Sequence, residues 1–393
     1  MRCEYRQLGD VAIQFIDGDR GKNYPSSNEF SNVGYCLFLN AKNVTPDGFS
    51  FGEVSFISQE KDAMLRKGKL EKNDVVLTTR GTVGNVAFYG ERVLYSNARI
   101  NSGMLIIRPD PSVFFPEYVY WLFRSDIIQN QIKRFCSGMA QPQLPISSIR
   151  KFEIPLVNIK TQKKIAAILS ALDEKIATNR AINDNLADLL QTIYQERFGN
   201  DILAVNQGVL SDICSYSRDK VAVSELNVRT YFSTENMLSG KAGSTEATSL
   251  PTTSQTTACH KGDTLISNIR PYFKKIVYCE DKCGCSTDVL CFTPSQPRYS
   301  TYLFSTLYAD KFFAFMVAGS KGTKMPRGDK QQIMTYPIVL PSEEELARFN
   351  TIALPLIDQI YSYRAENKRL SLLRDTLLTK LMSGEIDVSD IQL

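Results

Sequence analysis

The chain is written twice. From Lys72 it reads Lys-Asn-Asp-Val-Val-Leu-Thr-Thr-Arg80, and from Lys261 it reads Lys-Gly-Asp-Thr-Leu-Ile-Ser-Asn-Ile-Arg270. Each predicts a turn ending in Asp74 or Asp263, then a short, β-rich strand that delivers a polar loop with an arginine. Farther on, Phe152-Glu153-Ile154-Pro155-Leu156-Val157 is echoed by Thr335-Tyr336-Pro337-Ile338-Val339. Asp74 and Asp263 lie 189 residues apart, and Pro155 and Pro337 lie 182 apart. One duplication with small insertions accounts for both pairs, so the fold must accommodate two similar units.

A long helical pattern follows each proline-containing strand. In the first, Ile165, Leu169, Leu172, Ile176, Leu186, Leu190 and Ile193 fall at alternating steps of four and three, with Asn179 and Asn183 in the two intervening places. In the second, Leu356, Ile360, Tyr363, Leu370, Leu377 and Leu381 repeat the spacing, with Asn367 and Arg374 between them. Stripes of this kind are coiled-coil seams when sustained over three to four heptads. Thr161 to Phe198 would make a rod of about 57 Å at 1.5 Å per residue. Thr161 is the expected cap of the first helix and Gly199-Asn200 its end. Ser342-Glu343-Glu344-Glu345 has the form of a capping box, Pro355 predicts a second arm in two pieces, and Gly384 closes it. Ser244 to Thr257 reads as a surface loop.

The expected layout is therefore α+β: residues 1–158 as one α/β domain, 159–200 as a central helix, 201–340 as a second α/β domain, and 341–393 as C-terminal helices. The two helical spacers are expected to pair as an antiparallel coiled coil, relating the domains by a pseudo-two-fold axis. The 393 residues, 43% hydrophobic and 22% charged, suit folded domains of this size. No apolar run approaches the roughly 20 residues of a membrane-spanning helix, and the amino-terminal residues lack a signal peptide's apolar core, so a cytoplasmic location is expected. Nine cysteines suit a reduced compartment better than a disulfide framework. A net charge of +4 permits nucleic-acid binding without arguing for it.

Two like domains on paired arms match the dyad of duplex DNA, whose half-sites recur about every 34 Å. They would equally hold two protein ligands. Four strings go further. They are Gln162-Lys163-Lys164-Ile165-Ala166 through Leu172-Asp173-Glu174-Lys175-Ile176; Ile266-Ser267-Asn268-Ile269-Arg270-Pro271-Tyr272-Phe273-Lys274-Lys275-Ile276 with Cys285-Ser286-Thr287-Asp288-Val289-Leu290; Met139-Ala140-Gln141-Pro142-Gln143-Leu144; and Leu377-Leu378-Thr379-Lys380-Leu381-Met382-Ser383-Gly384-Glu385-Ile386. In this order, around the duplication, the whole sequence resembles the DNA-specificity subunits of type I restriction–modification systems. The resemblance implies two target recognition domains that each read half of a bipartite sequence. It also implies spacer helices that dock two methyltransferase subunits, and a restriction–translocation subunit that joins the complex. The S-adenosylmethionine, ATP and magnesium chemistry would belong to those partners, leaving this chain without a cofactor or a catalytic residue of its own.

Sequence is read by arginine and amide side chains at base edges, while lysine and arginine at phosphates supply affinity. In the first domain the candidates are Arg80, Thr82 and Asn85, on a loop whose glycines permit close approach, with Ser137, Gln141 and Gln143 before the spacer. In the second they are Asn268, Arg270, Tyr272, Lys274 and Lys275, then Lys321, Lys324 and Arg327 in a basic, glycine-rich stretch. Each could instead be a solvated turn residue. Cys279, Cys283, Cys285 and Cys291 lack the usual zinc spacing, so no metal is expected. The sequence has no GxxxxGK[ST] loop, no Asn/Asp-Pro-Pro-aromatic motif and a single histidine, His260. A nuclease or methyltransferase with degenerate motifs is the enzymatic alternative, and a two-headed protein-binding scaffold the structural one.

Overall fold

The computed structural model describes residues 4–136, 142–199, 206–389 and 391. The chain divides into two compact units, Met1–Ala177 with Asn367–Leu393, and Thr178–Glu366.

The first unit centres on four antiparallel strands in the spatial order Ile13–Asp17, Met104–Pro109, Asp74–Thr78, Val86–Tyr89. Alternate residues of the two inner strands leave on opposite sides. Val75, Leu77, Leu105 and Ile107 enter a core beneath the helices Pro116–Arg124 and Asp126–Phe135. Val76, Met104 and Ile106 enter a second core with Leu37, Leu39, Ala98 and Ile100, carried by a small sheet of Phe56–Ile57, Cys36–Leu39 and Ala98–Ile100. A strand covered on both faces has no solvent side, which is why Val75 to Leu77 is an unbroken apolar run.

The second unit repeats the plan of the main sheet. Its main sheet orders Cys214–Tyr216, Val289–Pro294, Thr264–Ser267 and Ile276–Tyr278 in the same way. Gln207–Val209 pairs with Pro337–Val339 as Tyr5–Gln7 pairs with Glu153–Pro155. The helices Ser300–Tyr308 and Asp310–Ala318 follow the last strand of this sheet as their counterparts do. The duplication thus extends into the first halves of the units, where no sequence similarity is visible. Each second sheet also contains a parallel pair, Cys36–Leu39 with Ala98–Ile100, and Tyr231–Phe232 with Cys283–Cys285. The expected loop from Ser244 to Thr257 ends early, because Gln255–Cys259 forms a strand against Lys220–Ala222. Cys259, Cys279, Cys283, Cys285 and Cys291 pack with Leu265, Val277 and Val289 in the second unit's core. Small thiols suit such close packing.

Two 40-residue helices, Ile159–Phe198 and Glu343–Met382, are each shared between the units. In the first unit, Ile165 and Leu169 pack with Leu378 and Leu381. There Asp173 Oδ1 meets Arg374 Nη1 at 2.5 Å, and Asn367 Nδ2 donates to Ile176 O at 3.3 Å. In the second unit, the rings of Tyr194 and Phe198 pack on Phe349, and Asn179 Nδ2 donates to Glu366 at 2.7 Å. Within each unit the helix segments therefore run antiparallel along the stripe read from the sequence. Two local expectations are corrected. Asn158, not Thr161, caps the first helix, its Oδ1 accepting from Thr161 N at 2.9 Å. Pro355 does not divide the second arm: proline removes one backbone hydrogen bond, but Ala353, Ile357 and Ile360 around it are buried, and that packing outweighs the local loss. Ser342 and Glu345 form the expected capping box, and Gly384 ends the helix at φ +74°.

Candidate nucleic-acid interface

In the first unit the strands Ile13–Asp17 and Asp74–Thr78 deliver their following loops to the same end of the main sheet, where Met104–Pro109 begins. Three segments are knitted together there. Thr79 N and Arg80 N donate to Gly103 O at 2.8 and 3.1 Å, and Leu144 N donates to Thr79 O at 3.0 Å. Arg80 and Gln143 face each other in a β-bridge. Arg80 and Gln143, far apart in the chain and both exposed, are thereby adjacent. Gly81 adopts φ +73°, and among the described residues no atom lies within 4 Å of its would-be Cβ. Thr82 is exposed beside it, its carbonyl accepting the Thr78 hydroxyl. Asn85 faces inward: its Nδ2 donates to Val44 O at 2.9 Å, which anchors the loop. Ser137 and Gln141 lie outside the described residues.

The second unit builds the equivalent junction from different residues. Asn268 N donates to Asp288 O at 2.8 Å, Gly328 N donates to Asn268 O at 3.3 Å, and Ile269 bridges Arg327. The Ile269–Arg327 bridge occupies the place of Arg80–Gln143, and Asp288 that of Gly103. Arg270 then sits at φ +51°, ψ +62°, its amide donating to Pro326 O at 2.8 Å and its Nη2 reaching Lys324 O at 3.4 Å. A left-handed arginine costs about 1 kcal/mol or more, and the paired loops hold it there. Asn268 Oδ1 and Arg270 Nε are buried without a hydrogen-bond partner among the described residues. Tyr272, half exposed, stacks edge-on with Phe273 beside this turn.

The remaining basic candidates divide. Lys321 is held by Asp329 at 2.7 Å and Arg327 by Asp288 at 3.0 Å, whereas Lys324, exposed at the loop tip, has no ion pair among the described residues. Lys274 turns away to Asp310 at 2.9 Å, and Lys275 donates to Thr234 O, with burial pulling its ammonium below the usual lysine value. Reading the sequence missed Gly103 and Asp288, which support the loops from a third strand. Gly103 lies in no motif, and Asp288 lies in a recurring string without being singled out, since their role is to present a carbonyl at the right point of the sheet. Each junction is polar and cationic and presents hydrogen-bonding groups from two loops, a surface suited to binding an anion-rich, edge-patterned partner. Among the described residues, no group of three or more His, Cys, Asp or Glu could hold a metal ion, and no helix is long and apolar enough to cross a membrane.

Comparison with known proteins shows what the chain is similar to. Residues 2–187 match the family model of the type I restriction modification DNA specificity domain. The type I restriction enzyme MjaIX specificity subunit of Methanocaldococcus jannaschii is 23% identical over 415 residues, covering 88% of this chain and 87% of its own. The HindI specificity subunit of Haemophilus influenzae is 24% identical over 208 residues, 52% of this chain and 45% of its own. Among solved structures, the type I restriction-modification S subunit from M. genitalium superposes with a TM-score of 0.59 at 18% identity, covering 97% of this chain and 96% of that one, and shares its fold.

Proposed function

We propose, from the premise that this chain belongs to the family of type I restriction–modification DNA-specificity subunits, that its two units each read one half of a bipartite duplex target through their paired loops. The observation that carries this reading is the repeated junction. Arg80 with Gln143, and Ile269 with Arg327, meet at equivalent ends of sheets with the same strand order. Arg80 and Gln143 supply the donors that discriminate guanine and adenine edges, and Arg270 and Lys324 the corresponding cations of the second unit. The chain recognises DNA and contributes no catalytic group. The long helices dock two methyltransferase subunits, and a restriction–translocation subunit completes the assembly in the cytoplasm. S-adenosylmethionine, ATP and magnesium act in those partners.

The test is modular exchange. Residues 201–340 are replaced by the second domain of another such subunit, and the methylated positions are mapped in cells carrying the intact complex. One half of the recognised sequence changes and the other stays. Changes in both halves contradict independent reading, and methylation by the purified chain alone contradicts the division of labour.

A further inference from the structure

Three segments meet at the rim of the first unit, none of them among the residues that the sequence singled out. Residues 18–23 follow the strand Ile13–Asp17, 64–68 run on from the end of the helix Gln59–Met64, and 100–103 lead into Met104–Pro109. Two glycines permit the approach. A Cβ on Gly18 would lie 2.1 Å from Asn101 O, and one on Gly68, at φ +82°, would lie 3.2 Å from Gly18 Cα. Asp19, 7% exposed, ties two of the segments, its Oδ1 accepting from Gly21 N and its Oδ2 from Arg66 N, both at 2.7 Å. Those backbone donors hold its carboxyl below the usual aspartate value, so it is a fixed charge. The segments frame an open depression of about 310 Å³ lined by Asp19, Gly21, Lys22, Asn23, Met64 and Arg66.

Four exposed cations stand around this depression: Arg20, Lys22, Arg66 and Lys67. The local carboxylates neutralise them only in part: Asp17 pairs with Arg20 at 3.0 Å, and Asp19, its oxygens held by backbone N–H groups, lines the depression beside Arg66. Neither Lys22 nor Arg66 is closed into a salt bridge among the described residues. Cations gathered on a rigid rim raise the local potential, and a polyanion relieves it. The rim is continuous with the reading loop: Arg20 Nη2 donates to Ser102 O at 3.3 Å, and the next residue, Gly103, accepts from Thr79 and Arg80.

We infer that Lys22 and Arg66, flanked by Arg20 and Lys67, grip duplex phosphates beside the bases read by the Arg80 loop. This rests on the DNA-reading function proposed for that loop. The test compares the complete complex carrying Lys22→Gln with Arg66→Gln against the unaltered complex, on target and unrelated duplexes across a salt series. Affinity falls by the same factor on both duplexes, and the slope of log K against log salt becomes shallower by about 2, at about 0.9 per phosphate contact. If the double variant melts lower, Lys22→Gln alone shallows the slope by about 1. An unchanged slope, or a loss confined to the target, overturns the inference. Absence of salt-dependent duplex binding by the unaltered complex overturns the underlying reading instead.

Discussion

Arg108→Met isolates the contribution of one buried ion pair. Asp74, 1% exposed, opens the strand that leads to the Arg80 loop. Arg108 grips both its oxygens, Nε to Oδ1 at 2.7 Å and Nη2 to Oδ2 at 2.8 Å, and Glu71 N donates to Oδ2 at 2.7 Å. Methionine preserves much of the apolar stem but leaves the carboxylate with a single donor. Removing one member of a buried pair costs about 3–5 kcal/mol; the remaining Glu71 bond and the partly exposed Arg108 place this case near 3 kcal/mol. With a urea slope of about 2 kcal/mol/M, the midpoint falls by about 1.5 M. The deficit also depends on pH. Burial pushes the Asp74 carboxyl above its ordinary value, opposed chiefly by Arg108. An acid with a raised folded-state pKa keeps its stability at low pH and loses it as pH rises. Without Arg108 the value climbs further, so the variant's deficit is smaller at pH 5 than at pH 8. Trp121, the chain's one tryptophan, is buried in the same unit and donates to Ser170 Oγ at 3.0 Å, so its fluorescence reports this unit's unfolding. An equal deficit at both pH values, or one undiminished when Asp74→Asn is added, refutes the reasoning.

Arg374→Leu lengthens the apolar stripe but leaves Asp173 only Arg124 at 3.3 Å, so the expected result is a lower melting temperature, about 1–2 kcal/mol; a higher one would show that the seam favours hydrocarbon over the ion pair. The Asp19 carboxyl is held below 3.8, so its contribution is present above that pH and is lost as pH falls through the lowered value. Urea midpoints of the native chain and Asp19→Asn therefore converge in acid and diverge toward neutrality. Arg80→Ala relaxes discrimination at one base pair of one half-site by about 1–3 kcal/mol, measured as the affinity ratio between matched and singly substituted duplexes. Burial pushes the thiols of Cys36 and Cys214 up to about 12, so a thiol reagent modifies them only once denaturant opens the units.

Much of the fold was legible because helices and strands write their periods into the chain. The 4-3 stripe through Asn179 and Arg374 was readable since Ile165, Leu169, Leu190, Ile360 and Leu381 on it are buried in the cores of their units. The Asp74 and Asp263 turns announced their strands because each carboxylate accepts from the amide three residues earlier, Glu71 and His260. The Thr161 cap and the break at Pro355 failed for opposite reasons. A nearer cap, Asn158, was available at the first, while buried neighbours override the missing hydrogen bond at the second. Among the site candidates, residue type alone could not distinguish Arg80, which points outward, from Asn85, whose amide holds Val44, or Lys324 from Lys274, which is spent on Asp310.

What the sequence determined by itself is the plan: two like units, two long helices, and loops rich in arginine and amide after equivalent strands. All of these follow from local period and composition, which a chain carries before it folds. What tertiary structure decided is which distant residues share a surface. The sheet's strand order brings Arg80 to Gln143, and glycine-permitted contacts bring Gly18 to Gly68 and so Lys22 to Arg66. Those pairings depend on hydrogen bonds between segments tens of residues apart, and no local pattern encodes them.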